Sequence, residues 1–141
     1  DDICDALSSY VPHNNRSQLT KTAHNTLIVD AYNANPTSMK AALDNFYRME
    51  AGNKMLILGE MRELGADSQK EHLQVVKLIE SCGYKEVLLV GEEFIKTACS
   101  FPCFRDVTAL IGYIRQQPPQ GKTILIKGSN GTKLFTLPDL L

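Results

Sequence analysis

The stretch LIVDAYNANPTSMKAAL, residues 27–43, places polar side chains directly between an apolar run and an amphipathic one. The carboxylate of Asp30 can accept hydrogen bonds from both hydroxyls of a ribose. The ring of Tyr32 offers a flat apolar face to a purine. The amide of Asn33 can both donate and accept at the edges of a base. These residue types at a strand end are typical of a domain that binds a nucleotide or a carboxylate, and the residues alone leave that choice open.

Asn35 and Pro36 close the same stretch. They suit the N-cap and the first position of a helix, respectively. Capping is the simpler interpretation of Asn35, and contact with a nucleoside is the alternative. In either case the helix N-terminus would favour an anion nearby through its dipole.

A second polar segment, LGEMRELGADSQKEH, follows another apolar run. Ser68 is predicted to cap the next helix, and Glu71 three residues later would complete a capping box. His72 falls one turn into that helix, where a packed or capping histidine is a more common finding than a catalyst. The loop also carries Glu60, Arg62 and Glu63. These charged groups either contact a ligand or are simply solvated.

The last polar segment, KGSNGTK, has two glycines and two lysines after a strand-like run. It is not a P-loop, because that motif requires GxxxxGK[ST] and the chain contains no such string. Lys127 could still meet a carboxylate or a phosphate as a point charge. Near the start of the chain, Arg16 offers a planar donor fork suited to phosphate oxygens.

Short apolar runs rich in Val, Ile and Leu precede these polar segments. They lie at 26–30, 54–59, 86–91 and 123–128, and such runs are typical of strands buried on both faces. A hairpin turning at His24 and Asn25 would add an antiparallel edge strand. The alternation with helical segments predicts an α/β fold with a doubly wound, mostly parallel, Rossmann-like sheet. The carboxyl ends of the strands, and the polar segments with them, should meet at one edge.

The helices between the strands are predicted from apolar spacing. Two helices are expected in the third connection, around EEFIKTAC and DVTALIGYI, separated by Pro102. The first stripe comprises Met39, Ala42, Leu43, Phe46 and Tyr47, and the second comprises Leu73, Val76 and Ile79 with Val75 and Leu78 beside them.

Composition limits the classes of function. With 141 residues and a net charge of −1, the chain is expected to be a single domain without a nucleic-acid partner. No apolar stretch approaches the roughly 20 residues that span a bilayer, so no membrane insertion is expected. The cysteines are Cys4, Cys82, Cys99 and Cys103, without a CxxC pair. Reduced, packed thiols are therefore favoured over a structural zinc site.

The strings NNRSQ, DAYNANPTSM, LGEMRELG and LIKGS, in this order and spacing, resemble the C-terminal domain of the Mur ligases over nearly the whole chain. The resemblance implies the third domain of a three-domain bacterial cytoplasmic enzyme, with residues 1–16 at the junction with the central domain. It implies an ATP-dependent ligase of peptidoglycan precursor synthesis that joins D-Ala-D-Ala to UDP-MurNAc-tripeptide through an acyl phosphate. Mg²⁺ and the phosphates of ATP would be held by the central domain, so this domain alone is expected to be inactive. A monomer is expected.

The resemblance also implies roles for individual residues. Arg16 would be the catalytic arginine that reaches the γ-phosphate of ATP. The nucleoside would contact Asp30, Tyr32, Asn33 and Asn35. The amino substrate and the tripeptide would contact Glu60, Met61, Lys127, Gly128 and Ser129. The family often carries Asp at the position of Glu60, and this departure is conservative.

Three alternatives stay open at this point. A phospho-acceptor receiver domain would share the acid at Asp30 and the lysine at Lys127, but it needs a second aspartate at the end of a middle strand. A non-catalytic interaction domain would fit the fold while leaving the polar strand ends unexplained. A paralogous ligase of the Mur or folylpolyglutamate type would act on another amino acid or on a folate-like substrate.

Overall fold

The computed structural model describes residues 18–30, 35–49, 52–61 and 64–128, together with Leu134, Leu137 and Leu141. Six strands form one sheet. They are β1 (Gln18–Lys21), β2 (Thr26–Asp30), β3 (Lys54–Gly59), β4 (Glu86–Val90), β5 (Cys103–Phe104) and β6 (Thr123–Lys127). The strand order is β1-β2-β6-β3-β4-β5, and every neighbouring pair except β1–β2 is parallel. The predicted sheet and its antiparallel edge strand are confirmed.

Four helices connect the strands. They are α1 (Pro36–Arg48), α2 (Ser68–Cys82), α3 (Glu92–Ile95) and α4 (Val107–Gln116), and a 3₁₀ turn (Gly65–Asp67) precedes α2. Both helices predicted in the third connection are present, although α3 is only 4 residues long. The sequence analysis missed β5, which lies between them and pairs with the end of β4.

The sheet is buried on both faces. Successive residues of a strand point to opposite sides of the sheet, so they belong to two different clusters. In β3, Leu56 and Leu58 face a cluster that includes α1, α2 and Phe94 of α3. Met55 and Ile57 face the other cluster, which α4 and Leu134, Leu137 and Leu141 cover. Because β3 lies inside the sheet, its residues are apolar on both sides, as the continuous apolar run predicted.

The α1 helix begins as the sequence predicted. Asn35 is the N-cap, and its Oδ1 accepts a hydrogen bond of 2.8 Å from the backbone N–H of Ser38. The Ser38 hydroxyl in turn accepts from the Asn35 N–H at 3.1 Å. Pro36 occupies the first turn, where its missing N–H costs nothing. This reciprocal pair fixes the point at which the chain leaves the carboxyl edge of the sheet and enters α1.

The α2 helix differs from prediction in its cap and in its buried stripe. Asp67 is the N-cap and makes no side-chain capping bond, so the predicted capping box of Ser68 and Glu71 is wrong. The Ser68 hydroxyl instead donates to Glu93. Leu73, predicted on the buried stripe, is 39% exposed, and His72 takes the inward position with 0% exposure. His72 takes the inward position because its ring makes a hydrogen bond inside the domain.

Candidate functional site

The sheet topology brings the carboxyl ends of five strands to one edge. The residues at or just after these ends are Asp30, Glu60, Gly91, Arg105 and Lys127. The expected meeting of the polar segments at one edge is therefore confirmed for the parts that the structure describes. Ligands of open parallel sheets bind outside this edge.

Several predicted site residues lie outside the described part of the chain. These are Arg16, Tyr32, Asn33 and Ser129, along with the loop residues Arg62 and Glu63. The backbone of Asp30 ends β2, and its register partner is Lys127 of β6. The predicted capping role of Asn35 is confirmed. The nucleoside contacts predicted for these residues stay predictions.

Lys127 is the last residue of β6 and is 1% exposed. It lies between two strands, with Asp30 of β2 on one side and Leu58 of β3 on the other. A buried ammonium needs compensating partners, and Lys127 has an interaction partner in the structure. Gly128, which follows it, is also buried. The charge predicted at this strand end is therefore set into the edge of the sheet.

Glu60 lies across the start of α3. Its backbone N–H donates to the Val90 carbonyl at 2.9 Å, extending the contact of β3 with β4. Its Oε1 accepts a hydrogen bond of 3.2 Å from the backbone N–H of Glu93. Gly91 makes this approach possible, since a Cβ there would stand 2.6 Å from the Glu60 carboxyl carbon. The backbone therefore orients this carboxylate at the carboxyl edge.

Met61 and His72 join the site loop to α2. The Met61 N–H donates to His72 Nε2 at 2.9 Å, and His72 Nδ1 lies 2.7 Å from the Ser68 carbonyl oxygen. A ring that accepts at Nε2 must carry its hydrogen on Nδ1, so the neutral tautomer is assigned from the hydrogen bonds. His72 also packs edge-to-face on Phe94, with ring centroids 4.8 Å apart. The interpretation of His72 as a packed histidine is confirmed.

Ser68, Glu93 and Lys96 form a short polar chain beside Glu60. The Ser68 hydroxyl donates to Glu93 Oε1 at 2.5 Å, and Lys96 Nζ lies 3.0 Å from Glu93 Oε2. The Ser68 hydrogen bond, followed by Lys96, lowers the pKa of Glu93 from its ordinary value. A carboxylate thus held ionised can attract a cationic group of a ligand.

These side chains surround a cavity of about 490 Å³ at the carboxyl edge. Its lining residues are Glu60, Met61, Leu64, Gly65, Ser68, Glu92, Glu93 and Arg105. The lining contains three carboxylates and one guanidinium, so negative and positive groups face the same cavity. Such a lining suits a small ligand that carries an ammonium and a carboxylate.

The sequence analysis missed Ser68, Glu92, Glu93 and Arg105 as lining residues of this cavity. Arg105 directly follows β5, a strand of only 2 residues that was not predicted. The one available signal was its position after a short apolar pair, CF, before the N-cap Asp106. Glu93 is 33 positions from Glu60, and only the pairing of β3 with β4 brings them together.

A second cavity of about 490 Å³ lies at the opposite, amino edge of the sheet. It is lined by Tyr47, Asn53, Lys54, Cys82, Gly83, Tyr84, Lys85, Glu86 and Lys122. The carboxyl-edge cavity is the stronger candidate for the functional site, because ligands of parallel sheets bind there and the strand-end residues converge on it.

Among the described residues, no three His, Cys, Asp or Glu side chains cluster closely enough to hold a metal ion. Within the same part of the chain, every helix is too short or too polar to cross a bilayer.

Comparison with known proteins places the chain in a defined group. The family model "Mur ligase, glutamate ligase domain" matches residues 15–130. The UDP-N-acetylmuramoyl-tripeptide–D-alanyl-D-alanine ligase of Rickettsia prowazekii is 38% identical over an alignment of 130 residues that covers 88% of this chain. The chain spans only 29% of the length of that relative.

Solved structures agree with this match. A crystal structure of MurF from Acinetobacter baumannii has a TM-score of 0.74 and 28% identity, covering 99% of this chain and 32% of that one. MurF ligase from Thermotoga maritima in complex with ADP also has a TM-score of 0.74, covering 93% of this chain and 30% of that one. At 18% identity, this second likeness shows the fold alone.

Proposed function

The chain belongs to the Mur ligase family, and we propose that it serves as the C-terminal domain of the ligase that joins D-Ala-D-Ala to UDP-MurNAc-tripeptide. The observation that carries the proposal is the match over nearly the whole chain to relatives that bear this name. The chain spans 29% of the relative's length, which supports our proposal that the activity belongs to a longer protein with three domains. On this proposal the protein is a bacterial cytoplasmic enzyme of peptidoglycan precursor synthesis.

The carboxyl-edge cavity supports an amino-substrate role. D-Ala-D-Ala carries an ammonium at one end and a carboxylate at the other. Glu60 and Glu93 would attract the ammonium, and the guanidinium of Arg105 would pair with the carboxylate. The attacking amine must lose its proton before it reacts, so these groups would bind and orient the dipeptide. We assign no residue here to proton abstraction.

The strand end at Asp30 supports a nucleoside role. We propose that Asp30, Tyr32, Asn33 and Asn35 contact the adenosine of ATP, with Arg16 reaching the γ-phosphate. MurF ligase from Thermotoga maritima, which has the same fold, is known in complex with ADP. ATP, with Mg²⁺ held by the central domain, would phosphorylate the carboxylate of UDP-MurNAc-tripeptide to an acyl phosphate.

Closure of this domain onto the central domain would complete the site. The amine of D-Ala-D-Ala then attacks the acyl phosphate, and the intermediate releases phosphate as the amide bond forms. Exclusion of water protects the acyl phosphate from hydrolysis until the amine reacts. In this arrangement the domain contributes binding groups at its carboxyl edge, including Lys127, Gly128 and Ser129 on the side of the tripeptide.

The match to the Mur ligase family removes the main support for the other two classes. A receiver domain or a simple interaction domain would not give a family match over residues 15–130. A ligase of the same family with another amino substrate is the remaining competitor. The experiment must therefore distinguish D-Ala-D-Ala from other amines.

A chimera tests the proposal. The matching segment of the Rickettsia prowazekii relative is replaced by this chain, and ATP-dependent phosphate release is measured with UDP-MurNAc-tripeptide. We expect release to require D-Ala-D-Ala. A folded chimera that releases no phosphate, or that prefers a different amine, would overturn the proposal. The unmodified relative is the positive control.

Two variants of the chimera separate the two ligand roles. Asp30→Ala should raise the KM for ATP about tenfold, equivalent to about 1.4 kcal/mol of lost binding. Arg105→Ala should raise the KM for D-Ala-D-Ala and leave that for ATP unchanged. Asp44→Ala is the matched control for Asp30→Ala, because it removes an exposed negative charge from α1. Lys77→Ala is the matched control for Arg105→Ala, because it removes an exposed positive charge from α2.

A further inference from the structure

Cys99 and Cys103 form a close pair of thiols beside the carboxyl edge. Their Sγ atoms lie 3.6 Å apart. Cys103 begins β5, and Cys99 lies in the segment that joins α3 to this strand. Both side chains are half-buried, so a small solute reaches them without unfolding of the domain. Neither thiol takes part in the site described above.

Cys82 provides an internal comparison. It is also half-buried and free, at the last position of α2. Among the cysteines that the structure describes, Cys99 and Cys103 alone contact each other. Any difference in chemistry between Cys82 and this pair therefore reflects the proximity of the two sulfurs more than exposure.

We propose that Cys99 and Cys103 are a modification site that closes to an intramolecular disulfide on reaction with a low-molecular-weight disulfide such as oxidised glutathione. In the first step one cysteine thiolate attacks oxidised glutathione, which forms a mixed disulfide and releases one glutathione thiolate. In the second step the other cysteine thiolate attacks the protein sulfur of the mixed disulfide and expels the second glutathione. The two cysteines lose two electrons and two protons, and two molecules of reduced glutathione are formed.

The surrounding backbone permits the closure. A disulfide bond is about 2.05 Å long, so the sulfurs must approach by about 1.5 Å. Cys99 belongs to a connecting segment without regular secondary structure, and Ala98 before it already has a positive φ of 54°. We expect a change of side-chain rotamer, with a small shift of this segment, to bring the sulfurs together.

Oxidation leaves the nearby helix end satisfied. The Cys103 thiol lies 3.9 Å from the Phe94 carbonyl, and this weak contact is lost when the hydrogen is removed. The same carbonyl still accepts from the Thr97 N–H at 3.0 Å and from the Thr97 hydroxyl at 2.6 Å. No buried acceptor at the end of α3 is therefore stranded by the reaction.

The Cys103 thiol sets the pH dependence of the reaction. Burial, followed by the contact with Cys99, raises the pKa of the Cys103 thiol to about 12. Since the thiolate is the nucleophile, the step in which Cys103 attacks requires the loss of its proton. Closure should therefore become faster as the pH rises above neutrality.

The bond would tie together two walls of the carboxyl-edge cavity. The segment that ends at Cys99 follows α3, which carries Glu93. Cys103 begins the strand that leads directly into Arg105. The disulfide would thus adjoin the two elements that carry these cavity-lining residues. This modification goes beyond the ligase activity proposed above.

The full chain is incubated with oxidised glutathione and analysed by intact mass and by tryptic mapping. One tryptic fragment, residues 97–105, contains both cysteines because it follows Lys96 and ends at Arg105. We expect this fragment to lose two hydrogens without gaining glutathione. Glutathione should remain on Cys82 but should not accumulate on this fragment, because only the pair has an intramolecular second step. Cys82→Ser should not change the closure of the fragment.

Single variants and an isolated peptide complete the test. Cys103→Ser should accumulate glutathione on Cys99, and Cys99→Ser should accumulate it on Cys103, because a single thiol has no partner to resolve the mixed disulfide. The synthetic peptide 97–105 should require about a tenfold higher ratio of oxidised to reduced glutathione for half closure than the folded chain. The proposal is overturned if wild-type fragment 97–105 stays reduced while Cys82 reacts, if it retains glutathione, or if the free peptide closes as readily as the chain.

Discussion

Glu60 covers Gly91 so closely that a Cβ atom on residue 91 would stand 2.6 Å from the Cδ of Glu60 and 2.7 Å from its Cβ. Gly91 has φ 119° and ψ 149°, a conformation that essentially only glycine adopts. Its N–H donates to the Phe104 carbonyl at 2.7 Å, which holds β5 against the end of β4. This one glycine therefore sets the positions of Glu60, Glu93 and the strand that leads to Arg105.

Gly91→Ala should destabilise the domain by about 2–4 kcal/mol, because the new methyl group adds backbone strain and a clash with Glu60. Urea unfolding followed by circular dichroism measures the free energy of unfolding. Glu60→Ala in the same chain should not rescue the loss, since the Cβ of residue 60 stays in the way.

Gly112→Ala is the matched control for this change. Gly112 lies inside α4, and a Cβ there would meet no atom within 4 Å. The substitution should stabilise the domain by about 0.5–1 kcal/mol through helix propensity. If Gly91→Ala and Gly112→Ala changed the free energy of unfolding equally, the contact of residue 91 with Glu60 would have no effect on stability.

His72→Ala should lower the free energy of unfolding by about 2–4 kcal/mol. The substitution removes a fully buried ring and leaves the Met61 N–H without its acceptor. Leu73→Ala, at the neighbouring but exposed position, should change it by less than about 1 kcal/mol. A stable His72→Ala domain with a normal unfolding curve would argue against the structural role of this histidine.

Asn25→Ala should cost about 2–3 kcal/mol of stability. Asn25 is 5% exposed, its Nδ2 donates to the carbonyls of Pro119 and Leu141 at 3.0 Å, and its Oδ1 accepts from the Lys122 N–H at 3.1 Å. Loss of the amide deprives these two carbonyls and the Lys122 N–H of their hydrogen-bond partner on Asn25. Thermal and urea unfolding measure the effect, with the exposed helical change Asn45→Ala as a near-neutral control.

Tyr84→Phe should alter the dependence of stability on alkaline pH. The Tyr84 hydroxyl donates to the Leu43 carbonyl at 3.0 Å, and burial of the ring raises the pKa of Tyr84 above its ordinary value of about 10. Above pH 10 the unfolded chain loses this proton while the folded chain keeps it, so rising pH favours unfolding. The free energy of unfolding of the wild type should fall relative to the variant by about 1.4 kcal/mol per pH unit there.

The same pair of proteins supplies the check at lower pH. Below pH 10 both states hold the proton, and the wild type should be about 1 kcal/mol more stable through the hydrogen bond. This advantage should vanish within about one pH unit above 10. A constant difference between pH 8 and pH 11 would contradict the assignment, and Tyr47→Phe, at an exposed ring, is the control.

The apolar runs allowed the long strands to be predicted because their residues are buried on both faces. The run at 54–59 coincides with β3, and the run at 26–30 coincides with β2. The two residues of β5 were missed, because so short a strand has no periodicity and follows Pro102. Its pairing depends on partners in β4, such as the Leu89 N–H that donates to the Pro102 carbonyl. Such a strand is defined by tertiary contacts alone.

The candidate site was predicted only where its residues follow recognisable strands. Glu60 and Lys127 could be placed at the carboxyl edge in this way. Arg105 follows the unpredicted strand, and Glu93 owes its place to a hydrogen bond with Ser68, which sequence reasoning had assigned to capping. His72 displaced Leu73 from the core for a similar reason, since hydrophobic spacing cannot register a buried hydrogen bond to the backbone.

Ser68→Ala should raise the pKa of Glu93, because the Ser68 hydrogen bond is the main cause of its lowered value. Lys96→Ala should also raise it, since the lysine lowers the pKa both by its hydrogen bond and by its charge. The carboxyl carbon of Glu93 can be followed by NMR during an acid titration of the chain and both variants. The shift that Lys96→Ala causes should weaken with added salt, because the lysine is solvent-exposed. An unchanged pKa of Glu93 in Ser68→Ala would contradict the role of the Ser68 hydrogen bond, whereas the expected rise makes the lowered pKa of Glu93 a property of the fold, beside a cavity that suits the ammonium of an amino substrate.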